Sequence, residues 1–301
     1  MVVFCITVRH PLNSNNYAIV ENLLALTLKS VLGQTDERFA VVVVCNRLPS
    51  FEMVSSQVHF VPVSFPPPVN QRGARTPLSA VYLDKGSKLI SACLFATRFA
   101  PDYLYFLDAD DWVESSLVAK LMEEPRPDLW YVDGGYVVNR ESMRFARKQG
   151  LLRHCGSTYA WNAPFILEKL RDVPSNAYDC NPNDLVQAVN PDFYQSVLAD
   201  HEHSYRYALT QQLSMRPIPG RPLCWVRATG ENHSPGAEGS PSLQIRQAML
   251  QRFSLSTDLI PPFPSEDSFI SVWRESLGLL ALFAGWQHAK WNAGREPNKP
   301  A

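Results

Sequence analysis

A chain of 301 residues, 46% of them hydrophobic, is long enough for one large α/β domain or one domain with an appendage, and it can bury a substantial core. Its 28 basic and 29 acidic residues leave a formal net charge of -1, which argues against nucleic acid as a partner, because nucleic-acid binders carry a basic face. Six cysteines, Cys5, Cys45, Cys93, Cys155, Cys180 and Cys224, show no CxxC or zinc spacing, so buried free thiols of a reducing compartment are expected.

No basic leader precedes the first apolar run. No apolar stretch reaches the ~20 residues that cross a bilayer; Leu277 to Trp286 comes closest. The expectation is a soluble cytoplasmic protein, with peripheral membrane contact left open by that C-terminal stretch. The sequon Asn232-His233-Ser234 would matter only in a secreted chain.

In chain order, Val2 to Val8 reads as a continuous apolar strand ended by Arg9-His10-Pro11. Asn13 to Asn16 offer cap residues for a helix from about Tyr17 to Leu32, where Ile19, Leu23, Leu26 and Val31 recur at helical spacing and Gly33 stops it. Phe39 to Val44 and Val58 to Val63 are further buried strands, the latter running into Pro66-Pro67-Pro68, which cannot continue a ladder. A loop, Asn70 to Thr76, leads to a helix from about Lys85 to Phe99. This β-α-β-β-α-β rhythm of unbroken apolar strands predicts a mostly parallel sheet with helices on both faces.

The next strand, Tyr103 to Leu107, stops abruptly in Asp108, Asp110 and Asp111. Carboxylates this close repel one another unless a cation or solvent compensates. Held at the carboxyl end of a buried strand, they suit the oxygen ligands of a hard divalent metal. The plain alternative is a solvated turn in which Asp111 or Ser115 caps a helix from Glu114 to Glu124. An EF-hand is excluded because Val113 stands where that loop requires glycine.

Beyond this point the pattern predicts a strand from Leu129 to Val138 interrupted by Gly134-Gly135, and a flexible Gly156-Ser157-Thr158. A helix from Pro191 is expected to run through Asp200-His201-Glu202-His203 to Tyr207, followed by an edge strand between Met215 and Val226. Past Pro235 come helices over Ser242 to Phe253 and Ser268 to Trp291.

A strand, then Asp108-Ala109-Asp110-Asp111, then a helix resembles the DxD motif of GT-A-fold glycosyltransferases, particularly the inverting family-two type. Leu24 to Asn46 looks like that family's first helix and second strand, and Asp200 with Arg206 resembles the helix carrying its catalytic base. The resemblance implies a GT-A-like (Rossmann-like) domain over residues 1–235 with a helical extension over 236–301. It also implies metal-dependent sugar transfer with inversion from a nucleotide sugar to a saccharide or lipid-linked acceptor, with UDP the favoured nucleotide.

On that resemblance Asp110 is the first choice of ligand for Mn²⁺ or Mg²⁺. Asp108 is its partner at the metal or the ribose, Asp111 stands behind them or caps a helix, and His233 completes the coordination. Asp200 is the candidate general base; Ala199 stands where the family usually has glutamate, which makes Glu202 a competitor. Arg206 would orient the base helix, contact phosphate or make a surface ion pair. The ends of the first strands place Thr7, His10 and Asn46 at the nucleotide, although Cys45-Asn46 departs from the acidic residue usual there. Asp84 and Lys88 are candidates for base or diphosphate. Two other readings remain: a non-catalytic carbohydrate-binding relative using Trp112, Trp130, Tyr159 and Trp161 as stacking platforms, and a phosphatase with Asp108 as nucleophile.

Overall fold

The computed structural model describes residues 1–232, 243–257 and 260. The unbroken apolar runs form the heart of a seven-stranded sheet. In it β1 (Val2–Thr7), β2 (Phe39–Cys45), β3 (Val58–Pro62) and β4 (Tyr103–Asp108) run parallel in the order β4-β1-β2-β3. Two long helices, α1 (Tyr17–Leu32) and α2 (Leu78–Ala96), cover opposite faces.

Side chains alternate across a strand, and here both sets are buried. Val2, Phe4 and Ile6 pack with Leu24, Leu28 and Val31 of α1, whereas Val3 and Cys5 pack with Leu89, Ile90 and Cys93 of α2. That is why no polar residue interrupts β1 or β2. Each fully buried Val or Leu contributes roughly 1.5–3 kcal/mol relative to exposure, so these two layers dominate the stability of the domain. The N-terminus of α1 is capped as the sequence predicts, with the Asn16 side chain accepting from the Ala18 amide at 3.1 Å.

The sheet continues beyond β4 with one reversal. β9 (Tyr159–Asn162) is antiparallel to β4 and to β6 (Leu129–Tyr131), and β10 (Met215–Pro217) closes the edge parallel to β6. The predicted strand over Leu129 to Val138 is in fact two strands. Val132 and Asp133 carry the chain out of the main sheet at β6, and β7 (Gly134–Asn139) starts a second one. Gly135 lets β7 pack closely, because a Cβ there would lie 2.9 Å from the Leu223 carbonyl oxygen and closer still to Leu151 Cδ2.

In this second sheet the order is β12-β8-β7-β11-β5, formed by β5 (Trp112–Val113), β7, β8 (Arg144–Gln149), β11 (Leu223–Arg227) and β12 (Leu243–Gln244). The predicted helix over Glu114 to Glu124 shrinks to α3 (Leu117–Leu121), because Trp112 and Val113 pair with β11 instead. The predicted Met215 to Val226 strand likewise splits between the two sheets, as β10 and β11.

Ser157 is fully buried rather than mobile. Trp112, Trp130, Tyr159 and Trp161 are core residues, each no more than 3% exposed, so none is a surface platform for sugar. Short helices α4 (Ala163–Lys169) and α5 (Pro182–Gln187) cover the α2 side. Next, α6 (Pro191–Phe193) widens into a π turn over Tyr194–Ala199. At Asp200 the backbone becomes extended and the expected continuous helix breaks, resuming as α7 (Ser204–Thr210). The segment predicted as helix from Ser242 begins instead with β12 and a shorter α8 (Gln247–Gln251). The predicted helix over Ser268 to Trp291 lies outside the described residues. Among the described residues no helix is long and apolar enough to cross a membrane. Cys5, Cys45, Cys93, Cys155 and Cys224 are buried free thiols and Cys180 is a half-buried one.

Candidate functional site

Parallel strands deliver their carboxyl ends to one edge, the ligand-binding side of open α/β sheets. At that edge Thr7 of β1 lies in register with Asp108 of β4. Above them opens a cavity of about 990 Å³. Of the residues proposed from sequence, Thr7, Asp84, Asp108, Asp110, Asp200 and Glu202 line it.

The acid cluster is held from several directions. Asp108 is ion-paired to Lys85 of α2, Nζ to Oδ1 at 2.5 Å, and its amide donates to Ser157 Oγ at 2.9 Å. Burial opposes ionisation of Asp108, but the Lys85 ammonium outweighs it and holds the carboxyl below its ordinary value. Asp110 accepts from Asn232 Nδ2 at 2.7 Å. Burial, followed by the neighbouring Asp108 charge, pushes its pKa up to about 7.

Asp111 does not cap the next helix. Its carboxylate accepts from the Val226 amide at 2.9 Å, Ser157 Oγ at 2.6 Å and Cys155 Sγ at 3.1 Å, while Gln34 Oε1 accepts from the Val118 amide in α3. Asp111 therefore ties the second sheet and the turn before β9 to the end of β4. Being 1% exposed, it is pushed well above its ordinary pKa by burial and by Asp110 and Asp108.

Beyond the π turn, Asp200 accepts from the Glu202 amide at 3.0 Å as it caps the His201–His203 turn. Asp200 is half-buried and Glu202 exposed. His201 also lines the cavity. Its pKa is lowered by burial first and by Lys85 second, against the pull of Asp108 and Asp200. Arg206, on α7, is exposed and does not line the cavity.

Three proposed nucleotide contacts do not line the cavity. Lys88 is fully buried, donating to the Val8 carbonyl at 2.7 Å and to Asp84 at 2.8 Å. His10 Nδ1 accepts from the Leu12 amide at 3.1 Å, capping the Pro11–Asn13 turn. Asn46 Nδ2 donates to the carbonyls of Val63 and Phe65, fastening the end of β2 to the segment after β3. Each side chain thus hydrogen-bonds within the scaffold, while Asn46 Oδ1 stays buried without a partner among the described residues.

His233 lies outside the described residues. Among those described, no three His, Cys, Asp or Glu side chains are arranged to hold a metal ion. Asp108 and Asp110 do supply two carboxylates to one cavity, the oxygen chemistry that Mg²⁺ and Mn²⁺ prefer. The elevated Asp110 also marks a shortage of positive charge that a divalent cation would relieve.

Sequence reasoning missed Lys85, Gly156, Ser157 and His201. The sequence pattern starts this helix at about Lys85, whereas α2 begins at Leu78, so Lys85 sits well inside it and reaches Asp108. Gly156 packs so closely that a Cβ there would lie 2.7 Å from Asp108 Oδ2 and 2.8 Å from Lys85 Nζ. No protein-family model matches this chain, and no curated protein matches it.

Proposed function

We propose that this chain is a glycosyltransferase that moves a sugar from a nucleotide-sugar donor to an acceptor hydroxyl, with Mn²⁺ or Mg²⁺ as cofactor and with inversion. The observation that carries this reading is the meeting of two acidic pairs far apart in sequence. Asp108 and Asp110 at the end of β4, and Asp200 and Glu202 beyond the π turn, line one cavity at the carboxyl edge of the sheet.

A divalent cation, when bound, supplies the positive charge that stabilises a departing nucleoside diphosphate. Asp110 would hold it, with Asp108 beside it and His233 as the candidate third ligand. Lys85 orients Asp108 and adds a fixed ammonium beside the phosphates. Thr7, at the end of β1, lies on the donor's side of the cavity. Asp200 takes the proton from the acceptor hydroxyl as that oxygen attacks the anomeric carbon. Its half-buried, capped position makes it a better-held base than the exposed Glu202. The non-catalytic reading loses the four aromatic platforms it named, because all four are core residues.

Thermal unfolding with a panel of nucleoside diphosphates, UDP first, with and without Mn²⁺, tests the donor site. A ligand that binds only the folded state raises Tm by mass action. The expected result is a metal-dependent rise for one nucleotide that Asp110→Asn abolishes. A flat response across the panel would sink the reading. The anomeric configuration of the product, read by NMR, tests inversion; retention would refute that part alone.

A further inference from the structure

The second sheet adjoins the acid cluster, since the Val226 amide of β11 donates to Asp111, and it carries the opposite charge. In the second sheet, Trp225 of β11 pairs with Val137 of β7, which pairs with Ala146 of β8, and all three line the cavity. Residues two positions along a strand share a face, so Arg227 on β11 and Lys148 on β8 belong to this same surface, and both line the cavity. The opposite face, with Tyr136, Val138, Cys224 and Val226, is core.

Two features make this wall a built surface. His154 stacks on Trp225 with ring centroids 6.1 Å apart and planes 16° apart, and the Arg227 guanidinium lies 4.5 Å from the Trp225 ring centroid. The charges here also lack counter-ions. Arg9 and Lys85, the cations nearer the acid cluster, are paired with Glu231 and Asp108. Lys148, Arg153 and Arg227, which line the cavity, make no ion pair among the described residues. Burial pulls the Arg227 pKa down with no carboxylate opposing it. A half-buried guanidinium without an anion costs desolvation that a negatively charged ligand would offset.

We infer that this wall is a recognition subsite for an acidic saccharide, a sugar ring bearing a carboxylate or phosphate. The apolar face of the ring lies against the Trp225–His154 stack, and the anionic group meets Arg227 with Lys148 and Arg153 beside it. An aromatic surface suits the C–H side of a sugar ring, and a guanidinium fork suits a carboxylate or phosphate. Resting on the transferase reading, this identifies the acceptor as acidic, because Arg9 and Lys85 are already paired beside the acid cluster whereas the cations of this wall are not.

Isothermal titration of the full chain with glucose, glucuronate and glucose 6-phosphate, and separately with UDP and Mn²⁺, tests the inference. At least one acidic sugar is expected to bind roughly tenfold or more tightly than glucose, consistent with a charge-assisted hydrogen-bond pair. The two acidic sugars distinguish a carboxylate from a phosphate. Arg227→Gln should erase most of that preference and Arg227→Lys should keep part of it, while UDP affinity stays within about twofold, well under the 1.4 kcal/mol that a tenfold change represents. If Arg227→Gln fails to fold, Lys148→Gln, on the same face, is read in the same way. Equal binding of acidic and neutral sugars overturns the inference. So does a loss confined to UDP, which would assign the wall to the donor phosphates. An intact acidic preference without any UDP binding would support the subsite while overturning the transferase reading.

Discussion

Lys85 and Asp108 are ion-paired directly beneath Gly156, and the space above them is too small for even a methyl group. The first aspartate of the strand-end cluster is therefore held in place by a lysine from α2 and a glycine from the turn before β9. Preorganisation of this kind matters because misplacing a reacting or ligating group by about 1 Å can cost 10²-fold in rate.

Gly156→Ala probes that packing directly. Its backbone does not occupy the left-handed region, so the new methyl acts through space, pushing on Asp108 Oδ2 and Lys85 Nζ. Metal-dependent turnover, or metal-dependent nucleotide affinity where the acceptor is unknown, should fall roughly tenfold or more. Tm should move by only a few degrees, since both displaced atoms are side-chain ends. An unchanged metal response in a folded Gly156→Ala protein would show that the ion pair has no part in holding the ligand.

Asp110 carries a pH prediction. Its pKa is about 7 in the folded chain against an ordinary 3.8, so the native state binds the extra proton between those values. The resulting stability is fully present below pH 4 and is lost as pH rises through 7. In metal-free protein, Asp110→Asn removes that loss. Urea denaturation in EDTA should show wild type falling behind the variant by about 2 kcal/mol between pH 5 and 8. Added Mn²⁺ should restore the wild type at pH 8 and leave the variant unchanged. Parallel pH profiles for the two proteins would refute the elevated carboxyl.

Much of this arrangement was legible in the sequence, for identifiable reasons. β1, β2 and β4 are buried on both faces, so their runs are unbroken and their ends are sharp. Asn16 and Gly33 bracket α1 with ordinary cap chemistry. The acid cluster was visible because Asp108 ends an apolar run that leads nowhere else. The second sheet was not legible. β8 reads Arg-Phe-Ala-Arg-Lys-Gln, exposed along much of its length, and β5 is two residues long; neither offers a periodic pattern to detect. The partners of β11 lie in β5 and β7, well upstream, so nothing local announces the pairing. Lys85 and Lys88 both follow Asp84 on one helix, and only tertiary packing decides that Lys88 turns inward to the Val8 carbonyl while Lys85 reaches Asp108.

Asp111 illustrates the same limit and is testable through stability. Asp111→Ala would strip the acceptor from the Val226 amide and the Ser157 hydroxyl inside the core. Leaving such donors unpaired costs roughly 1–3 kcal/mol each, so a loss of about 3 kcal/mol in urea denaturation is expected. Asp111→Asn, which keeps one acceptor oxygen, should lose less. If Asp111 were a metal ligand instead, Asp111→Ala would chiefly weaken the Mn²⁺ response and leave the denaturation midpoint in EDTA nearly unchanged.

Asp200 and Glu202 can be separated by their effects on chemistry and binding. Asp200 sits where the π turn ends and the backbone becomes extended. That break, which interrupts what the sequence suggested was a continuous helix, presents its carboxylate to the cavity rather than along a helix surface. As general base, its replacement in Asp200→Asn should lower kcat by about 10²–10⁴-fold, with donor affinity unchanged, because the neutral amide oxygen can still cap the Glu202 amide. Glu202→Gln, in an exposed side chain that accepts no described hydrogen bond, should cost less than about tenfold on the same scale. Steady-state kinetics with both variants at saturating donor decide the matter. A larger loss in Glu202→Gln would transfer the base role to Glu202, and small losses in both would leave His201, which lines the same cavity beside Asp108 and Asp200, as the next group to replace.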